Sequence, residues 1–469
     1  MEKITKKFVG RVYGVQGQVV LVHCESEYRP SLLELLSAEE LPSVQLEVHS
    51  YSNRDLLYCL LLSSKEEVSR NMRIVTEGMT LSIPIGKCVL GRAINLYGQP
   101  VDGGEPLEYS DARPINPTAR TVALKSKKKR KLLETGIKII DFFAPLIEGG
   151  RLGLVGGAGV GKTALLTEMI RNLNKTKQNI TIFAGIGERI REGFQLWELL
   201  QKTGELPRSA LIVAHINENA AIRFKIGAAA VTLAEYFRDE EKTNVLFFVD
   251  NIFRFVQAGN ELATLLEEIP SEFGYQSTLQ TQIAQLENRL VSTDTNSITS
   301  IQTVYVPADE LTDPSVAAAT PYFEAIVVLS RDMSQEGRYP AIDILKSKSL
   351  ALDRTYITEQ HFKAVTGAIE TLNQYERLAR IVTIIGESEL SAQDRIVYER
   401  AMRLRNYMTQ LTVTAEEQTG LPGVSVSRTD VVSDVEAILE GKFDSVPPEK
   451  FMYIATTKDI KMDNLNTPS

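Results

Sequence analysis

The sequence predicts a multidomain α/β protein: a small N-terminal β-barrel, a central domain built on a mostly parallel sheet, and a C-terminal α-helical domain. Three observations carry that reading. A glycine-rich loop lies between a short apolar strand and a helix at residues 152–170. Strand-like and helix-like segments alternate from about residue 77 to about 350, the pattern of a sheet covered on both faces. The chain before that region is rich in β-formers, and the chain after it is helix-periodic. A length of 469 residues fits roughly three domains, and the composition shifts divide them as 1–76, 77–350 and 351–469.

Taken in order, the segment from Val9 to Val22 mixes β-formers with glycines, as tightly bent barrel strands do. Leu46–His49 and Leu56–Leu60 continue the pattern. In the middle region the expected strands are Arg151–Val155, Thr181–Ala184, Ala210–Ala214, Val245–Val249, Ser300–Val306 and Ala325–Leu329. Beyond residue 350 the Leu-, Ile- and Arg-rich periodicity predicts helices such as Ala392–Gln410. The basic run Lys125–Lys131 reads either as a solvated loop or as a contact to an acidic partner or lipid headgroups.

Composition narrows the function classes. Hydrophobic content of 43% with 24% charged residues is ordinary for a globular protein. A net charge of −8 argues against a dedicated nucleic-acid binder. No apolar run approaches the roughly eighteen residues of a membrane span, and Met1–Lys7 leads into no signal-like stretch. The three cysteines and four histidines are scattered without metal-ligand spacing, so the cysteines read as reduced thiols of a cytosolic protein.

The chemistry starts at Gly156-Gly157-Ala158-Gly159-Val160-Gly161-Lys162-Thr163, a P-loop pattern G-x-x-x-x-G-K-T in its proper strand–loop–helix context. Glycines let backbone N–H groups turn inward on phosphate oxygens, and the helix N-terminus adds partial positive charge. Lys162 is expected to reach the terminal phosphates, and the Thr163 hydroxyl to ligate Mg²⁺. Asp250 ends an apolar strand, where a carboxylate meets the metal shell. Glu188 ends another and is the candidate for holding and deprotonating an attacking water. Arg189 follows directly, and Glu192 lies one turn on if a helix begins there. Arg254 is a candidate for neutralising the transferred phosphoryl group. The plainer alternatives are a surface ion pair of Glu188 with Arg189, and a salt bridge from Arg254 to a carboxylate at the sheet edge.

The whole pattern resembles the catalytic beta subunits of F-type ATP synthases over nearly the full chain. The resemblance rests on GGAGVGKT, GERIREG (Gly187–Gly193), AEYFRDEE (Ala234–Glu241), FFVDNIFRFVQAGNE (Phe247–Glu261), VYVPADELTDP (Val304–Pro314), LSRDMSQEGRYPAID (Leu329–Asp343) and ILEGKFDSVPPEKF (Ile438–Phe451). It implies a β-barrel crown, a RecA-like nucleotide domain and a C-terminal helical domain, with ATP or ADP as substrate and Mg²⁺ as cofactor. It also implies alternation with alpha-like non-catalytic subunits that supply an arginine finger in trans, a gamma-like central shaft, and through these a membrane ion-translocating sector moving protons or sodium. Nucleic acid is not an expected partner. The implied location is cytoplasmic, peripheral at the inner face of the plasma membrane through partner subunits. By motif matching, Lys162 and Thr163 carry phosphate and Mg²⁺, with Gly157, Ala158, Gly159, Val160 and Gly161 forming the cradle. Glu188 is the catalytic carboxylate, Arg189 and Arg254 contact phosphate, Glu192 and Asp250 belong to the Mg²⁺-water shell, Tyr339 stacks on adenine, and Tyr305 lies near the nucleotide. Glu188 also separates catalytic from non-catalytic members, which typically carry Gln there.

Three departures stand out. Where the family places two phenylalanines in its adenine pocket, this chain has Thr412 and Gln418. The family's acidic DELSEED loop is Ser388-Glu389-Leu390-Ser391-Ala392-Gln393-Asp394, with less negative charge. The segment usually GRIPS, which faces the shaft in the family, is Glu267-Glu268-Ile269-Pro270-Ser271, with two acids in place of a glycine and an arginine. The catalytic core is kept while the coupling surfaces have drifted. That leaves open a divergent ATP synthase, a paralogue in a specialised motor that only hydrolyses ATP, another RecA-like hexamer such as a protein-export ATPase or RNA translocase, and a nucleotide-holding subunit without turnover.

Overall fold

The computed structural model describes residues 6–63, 68–116, 130–176, 179–271, 273–416 and 420–460. The chain forms two compact units. One comprises Met1–Ser126, Asn179–Ile298 and Thr312–Pro321; the other comprises Lys127–Gln178, Thr299–Leu311 and Tyr322–Ser469. Most of the basic run, Lys125–Lys129, lies outside the described residues; of its last two members, Arg130 donates to the Gly149 carbonyl at 3.4 Å.

The first unit opens with a closed six-stranded barrel: β1 (Lys7–Gln16), β2 (Val19–Cys24), β3 (Glu34–Ala38), β4 (Gln45–Asn53), β5 (Leu56–Leu61) and β6 (Arg73–Thr80), in the order β1-β2-β5-β4-β3-β6. Alternate residues point inward, and Val9, Val12, Val20, Val22, Leu36 and Leu46 fill the interior. Closure needs β1 and β2 to approach closely at Gly10, where a Cβ would sit 1.8 Å from the His23 carbonyl oxygen. A buried ion pair, Lys225 with Glu47, ties β4 to the helix Ala220–Asp239. Beyond the barrel, the strands Val245–Asp250, Ile180–Glu188, Ser209–His215 and Arg92–Ile94 pair side by side in parallel. Eight of the nine residues of Ile180–Glu188 are buried, because a strand covered on both faces has no solvent side.

In the second unit the strand Arg151–Gly156 lies between Ile298–Tyr305 and Ala325–Leu329, all parallel. Ile342–Ser349 adds an antiparallel edge. That edge strand is absent from the sequence expectation because its pattern is half polar, with Lys346 and Lys348; such lysines are what an unpaired edge tolerates. The expected central strands are present, and Ile180–Glu188 runs four residues past the expected end. Three helices dominate the C-terminal part: Glu359–Ile385, Ala392–Tyr407 and Arg428–Leu439. Each begins at a hydroxyl N-cap, with Thr358, Ser391 and Ser427 accepting from the backbone N–H three residues on. The predicted helix end at Gln410 is three residues too long, because Met408–Gln410 leave the helix to make tertiary contacts.

His361 is a satisfied core histidine, 2.9 Å from the Phe142 carbonyl oxygen. Lys138, at the start of the short helix Lys138–Phe143, is fully buried. Its ammonium donates to the carbonyls of Tyr407 and Ile454 and lies 4.4 Å from the Tyr407 ring centroid. Burial pushes its pKa down to about 7, against the opposing pull of Asp434 and Asp459. Between about pH 7 and the ordinary lysine value the unfolded chain therefore binds the extra proton, and stability rises with pH across that window. Denaturant midpoints measured at about pH 7 and about pH 9.5 should show this gain in the native chain and lack it in Lys138→Met; equal slopes in the two proteins would refute the assignment.

Candidate functional site

The phosphate loop lies in the second unit. The strand Arg151–Gly156 delivers the chain to residues 157–161, and the helix Lys162–Thr176 follows at once. Gly159 (φ 77°) and Gly161 (φ 90°) adopt left-handed conformations that turn the loop back on itself. Val160 is buried and anchors the loop, while Ala158, Gly159, Gly161 and Thr163 are exposed. The Lys162 ammonium donates to the carbonyls of Gly156 and Gly157, folded over the loop's own backbone. It lies 5.5 Å from the ring centroid of Tyr305. Strand register places that ring, since Tyr305 pairs with Gly156.

A second ion pair, unassigned from the sequence, packs on the loop. Asp309 and Arg331 bond at 2.9 Å, and a Cβ on residue 157 would meet Asp309 Oδ1 at 1.8 Å. Only a glycine lets the pair lie so close. Asp309 falls inside the VYVPADELTDP motif, so its neighbourhood was flagged, but nothing in the pattern reveals the contact.

The side of the unit expected to meet adenine is also assembled. Tyr339 is exposed; its hydroxyl is 2.9 Å from Ser334 Oγ, and its carbonyl accepts from Gln410 N at 2.8 Å. Two residues on, Thr412 is half-buried and accepts from the Thr414 hydroxyl at 3.2 Å. Thr414 N donates to buried Glu168, on the phosphate-loop helix, at 2.9 Å. Tyr339, Thr412 and the helix after the phosphate loop are thus bonded through a few residues. Gln418 lies outside the described residues.

The remaining candidates belong to the first unit. Glu188 is buried at the end of its strand, and Asp250 is buried at the end of the adjacent one, where Gly185 pairs with Asp250. Asn251 caps the helix Ile252–Leu265 by accepting from Arg254 N at 3.1 Å. Gly187 (φ 64°) turns the chain against Arg254, whose Cβ lies 3.4 Å from where a residue-187 Cβ would sit. A helix does begin at Ile190, and it carries Glu192 in its first turn. The ion-pair alternatives are corrected. Glu188 does not pair with Arg189, which is exposed and 3.7 Å from Glu192. Arg254 donates from Nη1 to Gln257 at 2.9 Å.

The electrostatics of this corner are unbalanced. Burial raises the Glu188 pKa most, followed by the charge of Asp250 and then a hydrogen bond and charge from Glu192; Arg254 opposes them. Glu188 and Asp250 are buried at neighbouring strand ends, and Glu192 has Arg189 at 3.7 Å; the anionic field that raises the Glu188 pKa is of the kind a divalent cation would relieve. Among the described residues no three His, Cys, Asp or Glu side chains could hold a metal by themselves. Mg²⁺ needs only one or two carboxylates and completes its shell with water and substrate phosphate.

A strand, a loop with left-handed glycines and a helix opening on Lys162-Thr163 define a P-loop nucleotide-binding protein. Two stretches of the chain have narrower likenesses. Residues 136–349 match the nucleotide-binding domain of the ATP synthase alpha/beta family, and residues 350–422 match the C-terminal domain of V and A type ATP synthase. Residues 136–349 are thus similar to the nucleotide-binding domain of the ATP synthase alpha/beta family. The C-terminal match is to the V and A type domain, whereas the motifs resemble F-type chains; the departures at Thr412 and Gln418 fall in that same segment.

Restoring the aromatic at the adenine side tests the geometry of the second unit. Thr412→Phe should tighten ADP by about two- to tenfold, the range of one aromatic contact. An unchanged dissociation constant by calorimetry would mean that adenine is packed by other groups.

Proposed function

We propose that this chain is the catalytic subunit of a rotary ATPase of F-type character, working at interfaces with alpha-like subunits around a gamma-like shaft. The observation that carries the reading is buried Glu188, held among Asp250, Glu192 and Arg254 at the ends of two parallel strands. Burial beside Asp250 keeps a proton on the Glu188 carboxyl; cationic charge brought in with the substrate would lower its proton affinity and free the carboxylate to take a proton from water during hydrolysis, or to return it during synthesis. In this reading Glu188 orients the water, Lys162 and the residues from Gly157 to Gly161 hold the phosphates, and Arg189 and Arg254 balance their charge. Thr163, Glu192 and Asp250 would hold Mg²⁺ directly or through water. When bound, that ion neutralises charge on the phosphate oxygens. An arginine finger comes from the neighbouring subunit, so the isolated chain is a poor ATPase. The assembly sits at the inner face of the plasma membrane through its partners.

One observation favours a second reading, a hydrolysis-only motor in a specialised complex. The two segments that diverge from the coupling surfaces are engaged within the chain. Glu267 accepts from Gln16 of the barrel at 2.8 Å. Ser391 and Asp394 cap their own helix, and Arg395 donates to the Ser388 carbonyl at 3.2 Å. These contacts tie both segments to the chain's own body, while Glu268 and Glu389 stay exposed. Mass identification of subunits that co-purify from the native cell separates the readings: an ion-conducting ring and peripheral stalk indicate a synthase, unfamiliar subunits without a ring a dedicated motor.

Glu188→Gln tests the catalytic role in either case. It should lower steady-state hydrolysis by the assembled complex about a hundredfold or more, leave ATP binding intact, and leave Tm unchanged or raised because a buried acid is removed. Unaltered turnover would sink the catalytic assignment.

A further inference from the structure

We propose that the first unit contains a second ligand site, a cavity that binds a small amphipathic cation such as an arylalkyl amine. The cavity measures about 580 Å³, within the size range of small-molecule sites. Barrel residues Glu47 and Leu60 form one wall. Phe224, Phe255, Leu262 and Leu286, from the helical layer, form another. Phe224 and Phe255 stack with ring centroids 4.7 Å apart and planes 11° from parallel, a flat apolar surface for an aromatic body.

The charge of the lining selects the sign of the occupant. Lys225 pairs with one oxygen of Glu47, Arg289 with Glu235, and Arg238 with Asp239. That accounts for every lysine and arginine on the walls, and leaves exposed Glu268 as the excess acid. More telling is Glu47 itself. It is 1% exposed, and its second carboxylate oxygen is buried with no hydrogen-bond partner among the described residues. An orphan buried acceptor is costly and invites a donor. An ammonium carried on an apolar body satisfies the oxygen, the charge and the aromatic wall together. The helix Ile252–Leu265, which supplies Phe255 and Leu262, carries Arg254 in its first turn, so an occupant would touch an element of the proposed catalytic corner.

Binding to this cavity requires no turnover, so its test stands apart from the catalytic reading. The probe is naphthylethylamine, titrated calorimetrically into the full chain, with its neutral N-acetyl derivative as comparator. The amine should bind saturably at one site, and the N-acetyl compound at least about tenfold more weakly, as loss of a charge-assisted hydrogen bond requires. Glu47→Gln should weaken the amine by a similar factor and leave the N-acetyl compound unaffected. Leu266→Trp, at a half-buried position of the lining, should weaken both by filling the mouth. Absence of saturable binding up to about 1 mM, equal affinity for the two probes, or indifference to Leu266→Trp each overturns the proposal. If Glu47→Gln fails to fold, the probe pair and Leu266→Trp still decide it.

Discussion

The second unit depends on one buried amide. Gln410 accepts from Lys138 N at 2.8 Å through Oε1, and donates from Nε2 to the carbonyls of Gly136 and Val424, each at 2.7 Å. Its own backbone N–H goes to Tyr339. One side chain therefore joins the entry to the nucleotide-binding region, the segment leaving the Ala392–Tyr407 helix, and the loop that presents Tyr339. A buried amide left half-satisfied costs about 1–3 kcal/mol for each orphaned group, so the three segments are held in a single arrangement. Tyr407 and Asp434 extend the same network at 2.8 Å, and Asp434 also accepts from Thr457 N at 2.9 Å.

Rigidity here serves a loop that has little of its own. The phosphate loop is anchored by Val160 and by its flanking strand and helix, and its exposed backbone is free to meet a ligand. Glu168, nearly two turns into the helix, is buried and accepts from Thr414 and Asn172. The segment proposed to meet adenine is thereby tied to the helix after the phosphate loop through one carboxylate. In the first unit the logic is reversed. Burying Glu188 beside Asp250 costs its carboxylate form solvation, so this corner favours a proton on Glu188 unless a cation intervenes. Stability given up at such a place is the usual signature of a site.

Most of the architecture could be read from the chain because burial imprints its period on the residues. Val245–Val249 is apolar throughout since both faces are covered, and the barrel strands alternate since only one face is. Ile342–Ser349 escaped because an edge strand exposes half its residues and carries lysines. The candidate residues were equally legible: motif spacing identified Glu188, Asp250 and the phosphate loop. What the spacing could not convey was pairing. Arg189 turned to Glu192, Arg254 to Gln257, and Asp309 with Arg331 closed over Gly157.

By itself, the sequence determined local geometry and chemical identity: where glycines permit a turn, where a strand must be covered, which carboxyl group stands at a strand end. Those follow from steric and hydrophobic constraints acting over a few neighbouring residues. Tertiary structure alone decided which charges neutralise one another, how far burial shifts Glu188 and Lys138, and that Glu47 keeps an oxygen without a partner among the described residues. Such properties depend on distance and dielectric between groups far apart in the chain, and Glu47 and Lys225, separated by 178 positions, carry no mark in the sequence of their meeting.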